Sequence, residues 1–342
     1  MKTIIYSTTG DSSVLQLADR ETPTPGGGEV RVRLSVSGVN PTDWKSRRGG
    51  RGELPFAEVT PNLDGAGVVD AVGPDVIDFA VGDRVWVYLA ADQRPYGTAA
   101  EFTVQPVSRV VKLPDGASFD VAASLGVPAI TAHRALTVSE DGPSRLSPGA
   151  LADTIVLVAG GAGAVGHAAI QLARWAGATV ITTVSSDEKA TLARSAGAHH
   201  VVNYRDSDAV DQIRAIAPDG VDLVVEVAVV PNIGLDLAVL RTRGTLAIYA
   251  NNGGSELTVD IGPLMAQNVR VQFILVYTVG QDALDAATDD ITAALRDDAL
   301  PVGVASGLPL TRFGLADTAG AHDAVENDTV GKVLIDIDID ID

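Results

Sequence analysis

Ile155-Val156-Leu157-Val158-Ala159-Gly160-Gly161-Ala162-Gly163-Ala164-Val165-Gly166 decides the fold of this 342-residue chain. The apolar residues read as a buried strand, the glycines as a turn, and His167 to Trp175 as the helix that follows. Gly161, Gly163 and Gly166 fit the G-x-G-x-x-G spacing. The first glycine permits a tight turn, the second lets a pyrophosphate approach the backbone, and the third lets helix pack on strand. At Ala164 and Val165 the new helix offers free N–H groups and a partial positive charge to phosphates. A second strand, Thr179 to Val184, follows where a βαβ unit requires it. This context predicts a bound dinucleotide.

The end of that second strand bears on which dinucleotide. NAD-selective folds place Asp or Glu there to accept from the ribose 2′-OH. Here Val184 is followed by Ser185-Ser186 and then Asp187-Glu188-Lys189. A small hydroxyl at Ser185 leaves room for a 2′-phosphate and can donate to it, and Lys189, one turn into the next helix, supplies charge. Tyr204, after a third strand at His200 to Asn203, offers a phenolic donor from the other side. A helix-capping role for Ser185 with a solvated Lys189 is the alternative, and Asp187 rotated inward would repel a phosphate. The set favours NADPH over NADH.

Cysteine is absent, which removes disulfides, thiolate nucleophiles and Cys-based zinc sites. No run of 18 apolar residues predicts a membrane span, and Met1 to Tyr6 reads as a strand rather than a signal peptide. A cytoplasmic protein with no membrane partner is expected. The net charge of −19 argues against a nucleic-acid partner, because that affinity rests on Lys and Arg neutralising phosphates. The acidity is carried by 34 Asp against 10 Glu, with 5 Lys against 20 Arg. Short carboxylates with few ammonium groups predict a halophilic protein, in which concentrated salt screens self-repulsion. GC-rich codon bias also trades Lys for Arg, but it leaves the Asp excess unexplained.

Upstream of residue 125 the chain alternates β-branched and polar residues between turn signals, as in Val30 to Val36, Gly67 to Val72 and Arg84 to Val87. That pattern predicts a barrel-like β domain. Helix patterning starts near Ala122. From Thr154 strand and helix alternate, with strands at Thr154–Val158, Thr179–Val184, His200–Asn203, Leu223–Val227, Thr245–Tyr249 and Arg270–Val276. They predict a doubly wound sheet of about six parallel strands. Val138 to Asp153 reads as a surface insertion, Gln281 to Arg296 as a helix, and Leu308 to Leu310 and Gly331 to Ile335 as strands. The tail Ile335 to Asp342 alternates with period two, a half-buried strand whose end frays.

Several stretches, taken in order, resemble the medium-chain dehydrogenase/reductase superfamily. They are Gly38-Val39-Asn40-Pro41-Thr42-Asp43, Asp64-Gly65-Ala66-Gly67-Val68-Val69, Val81-Gly82-Asp83-Arg84-Val85, Tyr96-Gly97-Thr98-Ala99-Ala100-Glu101-Phe102, Val127-Pro128-Ala129-Ile130-Thr131-Ala132-His133-Arg134-Ala135-Leu136, the glycine turn, and Ala196 to Tyr204. Within it the chain resembles the zinc-independent, zeta-crystallin-like NADPH:quinone reductases. Zinc alcohol dehydrogenases need catalytic and structural cysteines and a Gly-His-Glu motif, where this chain has Asp64-Gly65. The histidines at 133, 167, 199, 200 and 322 lack ligand spacing, so no metal is expected.

The resemblance implies an α/β protein with a GroES-like β-barrel catalytic domain over 1–127 and 280–342. A Rossmann doubly wound parallel sheet would occupy 128–279. It implies hydride transfer from NADPH to a quinone or activated alkene, in a homodimer whose last Rossmann strand, Val269 to Val276, pairs with its copy. Asn40 and Asp43 would lie on the loop lining the nicotinamide end. Thr131 would start the helix entering the cofactor domain and contact the nicotinamide side. For Asn40 a turn role before Pro41 stays open, and for Thr131 a helix cap. The backbone at Tyr249, Ala250, Asn251 and Asn252 would run along the nicotinamide ribose, with Phe273 lining the same pocket. Trp44, Arg47 and Arg48 would shape the substrate mouth, with solvated surface arginines as the alternative. Related enoyl reductases carry a tyrosine soon after the Asn-Pro-x-Asp element, and Trp44 to Arg51 has none. Enone or enoyl reduction and non-catalytic NADPH binding are the competing readings.

Overall fold

The computed structural model of the chain describes residues 1–50, 52–206 and 208–337. Arg51 and the last five residues of the alternating tail lie outside them. The strands are β1 (Lys2–Ile5), β2 (Gln16–Asp19), β3 (Glu29–Val39), β4 (Asp64–Val72), β5 (Arg84–Val87), β6 (Phe102–Pro106), β7 (Val110–Lys112), β8 (Ile155–Ala159), β9 (Thr179–Val184), β10 (His200–Asn203), β11 (Val221–Glu226), β12 (Leu240–Ile248), β13 (Arg270–Phe273), β14 (Leu310–Gly314) and β15 (Lys332–Asp336). The helices are α1 (Pro41–Arg47), α2 (Phe119–Leu136), α3 (Ala164–Trp175), α4 (Asp187–Ser195), α5 (Ala209–Ile216), α6 (Val229–Val239), α7 (Ile261–Gln267), α8 (Gln281–Arg296) and α9 (Thr318–Glu326).

Two compact units result, Met1–Val127 with the chain from Pro309 onward, and Pro128–Leu308. The first is built on a mixed sheet ordered β14-β15-β3-β4-β5-β7, with β6 added to β3. β3 is its spine, and alternate residues Val30, Val32 and Leu34 are buried with Val69, Val85, Val333 and Ile335. The second unit holds six strands ordered β10-β9-β8-β11-β12-β13, all paired in parallel. Helices cover such a sheet on both faces, which explains why β8 reads as an unbroken apolar run. The order reverses between β8 and β11, the position where ligands meet open α/β sheets.

Strand bounds at 179–184 and 200–203 and helix bounds at 281–296 coincide with the sequence expectation. The unit boundary expected at 280 falls at 309 instead. α8 explains the difference, because Leu284, Ala287, Ile291 and Ala294 form a buried apolar face within the second unit. β13 is also shorter than expected, since the chain leaves the sheet after Phe273 and turns at Val276–Thr278.

The predicted insertion at 138–153 is tied down by one buried carboxylate. Asp290 of α8 accepts from Leu146 N–H at 2.6 Å, pairs with His133 Nε2 at 2.8 Å, and takes Arg145 Nη2 at 2.6 Å. Burial opposes its ionisation, but these bonds outweigh it and hold the carboxyl below its ordinary value. Its contribution is therefore present above pH 4 and is lost as pH falls through the lowered folded value. Asp290→Ala should cost about 2–3 kcal/mol in urea unfolding at pH 7. That difference should shrink as pH falls below the ordinary carboxylate range.

Candidate functional site

β8 ends at Ala159, and Gly160 turns the chain with φ of +70°. The left-handed residue is thus Gly160 and not Gly161, the position the spacing suggested. Gly161 serves close packing, since a Cβ there would overlap Thr182 Oγ1 and crowd Ile170. A Cβ on Gly166 would run into the Gly160 carbonyl oxygen. Gly163 differs from both. It is the exposed N-cap of α3 in an extended conformation (φ −86°, ψ 162°), and the nearest atom to a Cβ would be Gly160 O at 3.5 Å. It offers no side chain to cap the helix, so the N–H groups of Ala164 and Val165 lack a side-chain acceptor at the positive end of α3. This arrangement can hold a phosphate.

Ser186, rather than Ser185, caps α4, its Oγ accepting from Lys189 N–H at 3.3 Å. Ser185 is released from that duty, and its Oγ accepts from Lys189 Nζ at 3.3 Å. Tyr204 follows β10, donates its N–H to the Val184 carbonyl at 3.0 Å, and is exposed. All three predicted recognition residues therefore gather at the carboxyl ends of β9 and β10. Asp187 and Glu188 lie exposed in the first turn of α4. The donor set, one hydroxyl, one ammonium and one phenol, suits a 2′-phosphate better than a ribose hydroxyl.

Across the switch point, Tyr249 donates its N–H to the Glu226 carbonyl at 3.1 Å, and Asn251 forms an antiparallel bridge with Ala228. Burial and then the nearby Glu226 charge push the Tyr249 hydroxyl above its ordinary value. Two carboxyls that the sequence did not single out stand here. Glu226 ends β11 and Asp236 lies on α6, both essentially inaccessible. Glu226 Oε1 accepts from Ala228 N–H and from Asn232 Nδ2. Phe273 is 65% exposed on the edge strand β13.

In the first unit Asn40 is buried and both ends of its amide are engaged. Nδ2 donates to Asp64 Oδ2 at 2.6 Å, and Oδ1 accepts from Lys332 Nζ at 2.7 Å. Its N–H donates to Asp43 Oδ2 at 2.7 Å. Asp64 also takes Val127 N–H at 3.0 Å and lies 3.7 Å from Lys332 Nζ. α2 bends at Gly126, where φ −8° and ψ −111° are not helical, and a Cβ at that position would overlap the Asp64 carboxylate. The helical run resumes at Val127-Pro128. Thr131 is therefore a buried interior residue and starts no helix. Arg47, expected at a substrate mouth, is wholly buried and bonds Glu326 through Nη2 at 2.6 Å. Asn40 and Asp43 were marked by their motif, whereas Asp64 and Lys332 are paired only by the fold.

Residues 164–293 match the family profile described as zinc-binding dehydrogenase, and residues 26–115 match the alcohol dehydrogenase GroES-like domain. The chain is 30% identical over 339 residues to a quinone oxidoreductase of Lama guanicoe, covering 98% of this chain and 97% of the relative. The chain belongs to the quinone oxidoreductase group of the medium-chain dehydrogenase/reductase superfamily. It is also 30% identical to a 2-haloacrylate reductase of Burkholderia, over 91% of this chain and 92% of that protein. The solved Escherichia coli quinone oxidoreductase complexed with NADPH superposes with a TM-score of 0.80 at 26% identity, over 98% of this chain and 100% of that one. Among the described residues no cluster of three His, Cys, Asp or Glu could hold a metal ion. No helix among them is long and apolar enough to cross a membrane.

The geometry of the Asn40 loop depends on the Lys332–Asp64 pair. Burial pushes the Asp64 carboxyl up, and Lys332 and Asn40 only partly offset it. Lys332→Met should destabilise the protein by about 3–5 kcal/mol at pH 7 by leaving Asp64 without its counter-charge. A carboxyl raised in the folded state loses stability as pH climbs from its unfolded value through its folded one. The variant should therefore weaken from pH 4 upward in chemical denaturation, and adding Asp64→Asn should flatten that slope.

Proposed function

We propose that this protein is an NADPH-dependent oxidoreductase that passes a hydride to a quinone without a metal. The observation that carries the cofactor half is the Ser185–Lys189 contact at the end of β9, with Tyr204 beside it and no carboxylate on the last residue of the strand. The uncapped start of α3 receives the pyrophosphate, and Tyr249 to Asn252 supply backbone along the nicotinamide ribose. Bound NADPH supplies the hydride. A quinone takes it readily, because the negative charge spreads into an aromatic oxyanion. The protein then has mainly to position the two partners and exclude competing reactions.

Reduction of an activated alkene is the second reading, favoured by the likeness to 2-haloacrylate reductase. It requires a proton delivered to carbon, and Trp44 to Gly50 offer no tyrosine for it. Turnover of a panel of quinones and enones separates these readings from each other and from a non-catalytic binder. Quinone reduction should survive exhaustive chelation, and preference for enones would reverse the assignment.

Lys189→Ala should raise the NADPH concentration for half-maximal rate by about tenfold or more, the worth of a charge-assisted contact. The value for NADH should hardly move, and equal losses with both cofactors would overturn the recognition.

We assign the exposed edge formed by Val271, Phe273 and Leu275, with Ile261 and Met265 on α7, to a two-fold dimer, because an open apolar edge invites pairing. The Asp-rich surface fits a protein tuned to concentrated salt. Sedimentation and thermal melting in dilute buffer and in molar salt test both. A monomer, or a melting temperature indifferent to salt, would contradict them.

A further inference from the structure

Glu226 and Asp236 form a buried carboxyl pair that the proposed reaction does not use. Glu226 is the last residue of β11, and Asp236 lies one helical turn beyond Asn232 on α6. Both are at most 1% exposed. The partners that reach Glu226 are neutral: Ala228 N–H, and Asn232 Nδ2 at 3.1 and 3.2 Å from its two oxygens. Asp236 bonds Glu226, while its own Oδ2 is buried without a partner. Two carboxylates in contact in an apolar site cannot both ionise at neutral pH, so one of them carries a proton.

Ala228, the N-cap of α6, has no capping side chain, and the Glu226 carboxylate takes over that duty. The same short segment is fastened on both sides. Tyr249 N–H bonds the Glu226 carbonyl, Asn252 N–H bonds the Val227 carbonyl at 3.2 Å, and Ala228 bridges Asn251. Val227 packs against Gly160 at the glycine turn. One proton thus lies beneath the backbone assigned to the nicotinamide ribose.

We propose that Glu226 and Asp236 are positioning residues that share one proton, and that this proton clamps the start of α6 and the 249–252 backbone in the form that receives the nicotinamide end of the cofactor. The proposal rests on NADPH being the cofactor. Losing the proton would put two adjacent negative charges beneath that backbone and break the Asp236–Glu226 bond that holds the Glu226 carboxylate against Ala228 and Asn232. Tyr249, at the end of β12, is the other titratable group in contact, and it stays protonated throughout. α5 packs on α6 and carries Asp211 and Arg214, and Arg214 Nε is spent on the Ala238 carbonyl at the far end of α6. Asp222, at the start of β11, is paired with Arg241.

Burial and the adjacent Glu226 push the Asp236 carboxyl up to about 9. The dissociation constant for NADPH, followed by fluorescence on the whole protein, should be level from pH 6 to 8 and then rise. Above about 9 the rise should approach about tenfold per pH unit, the slope for one linked proton. Asp236→Asn keeps a donor to Glu226 but cannot titrate, so its profile should stay level through that region. Lys189 is present in both proteins and cannot produce the difference. The unmutated protein gives a second arm that needs no variant. Calorimetry in buffers of different ionisation enthalpy should show proton uptake on binding near pH 9 with NADH as well as NADPH, because NADH lacks the 2′-phosphate that Lys189 meets. The infrared band of a protonated carboxyl at pH 7 should shrink in Asp236→Asn, while any share from Asp64 persists. An Asp236→Asn profile matching wild type, or cofactor binding near pH 9 without proton uptake, would overturn the clamp. Absence of NADPH binding at pH 7 would instead overturn the cofactor assignment.

Discussion

Gly163 has no side chain to give the first turn of α3, and the neighbouring packing keeps that end of the helix open. Gly160 must adopt a left-handed turn, Gly161 must lie against Thr182, and Gly166 must lie against the Gly160 carbonyl. The strand, turn and helix are therefore held by contacts only glycine allows, and the product is a helix N-terminus with no acceptor of its own. Such an end is a standing electrostatic site for an anion. The βα turn sits where the sheet order reverses, so Ser185, Lys189 and Tyr204 fall on one side of it and the 226–228 and 249–252 segments on the other. The segments proposed to hold the cofactor thus lie to either side of that one uncapped turn.

An acidic chain also has to manage the carboxylates it buries, and four of them fall into three different arrangements. Asp290 is bonded by a guanidinium, an imidazole and a backbone N–H, and stays ionised below the ordinary range. Asp64 faces a buried Lys332, but desolvation raises its carboxyl all the same. The Glu226–Asp236 pair is reached by no cation among the described residues and relies on a proton. Acid weakens the first arrangement and alkali weakens the others. The three occupy different structural roles, which are loop anchoring, support of the Asn40 loop and helix bend, and support of the backbone beside the glycine turn.

Much of the fold was legible because local chemistry and global packing agree along it. The strands at 179–184 and 200–203 are bounded by Gly177 and Gly197, both with positive φ, so their limits are written locally. Ser185, Lys189 and Tyr204 were readable because they follow those strands directly. Asn40 was marked by its motif, but its commitment to Asp64 and Lys332 was not, since those partners come from distant parts of the chain. Asp236 is one of 34 aspartates, and nothing in its neighbourhood announces that it is buried against Glu226. The unit boundary was misplaced because amphipathicity shows that α8 has an apolar face without showing which sheet that face covers.

Substitution of Gly163 by Asp tests the account most directly. The extended backbone there suits any residue, a Cβ has room, and aspartate is a favourable N-cap, so the fold should be kept or stabilised. The new carboxylate would occupy the N–H groups that the phosphates require and would repel those phosphates. Calorimetric titration of Gly163→Asp with NADPH should show affinity at least about a hundredfold weaker, roughly 3 kcal/mol, at an unchanged or higher melting temperature. Undiminished NADPH affinity in a folded Gly163→Asp protein would contradict the account.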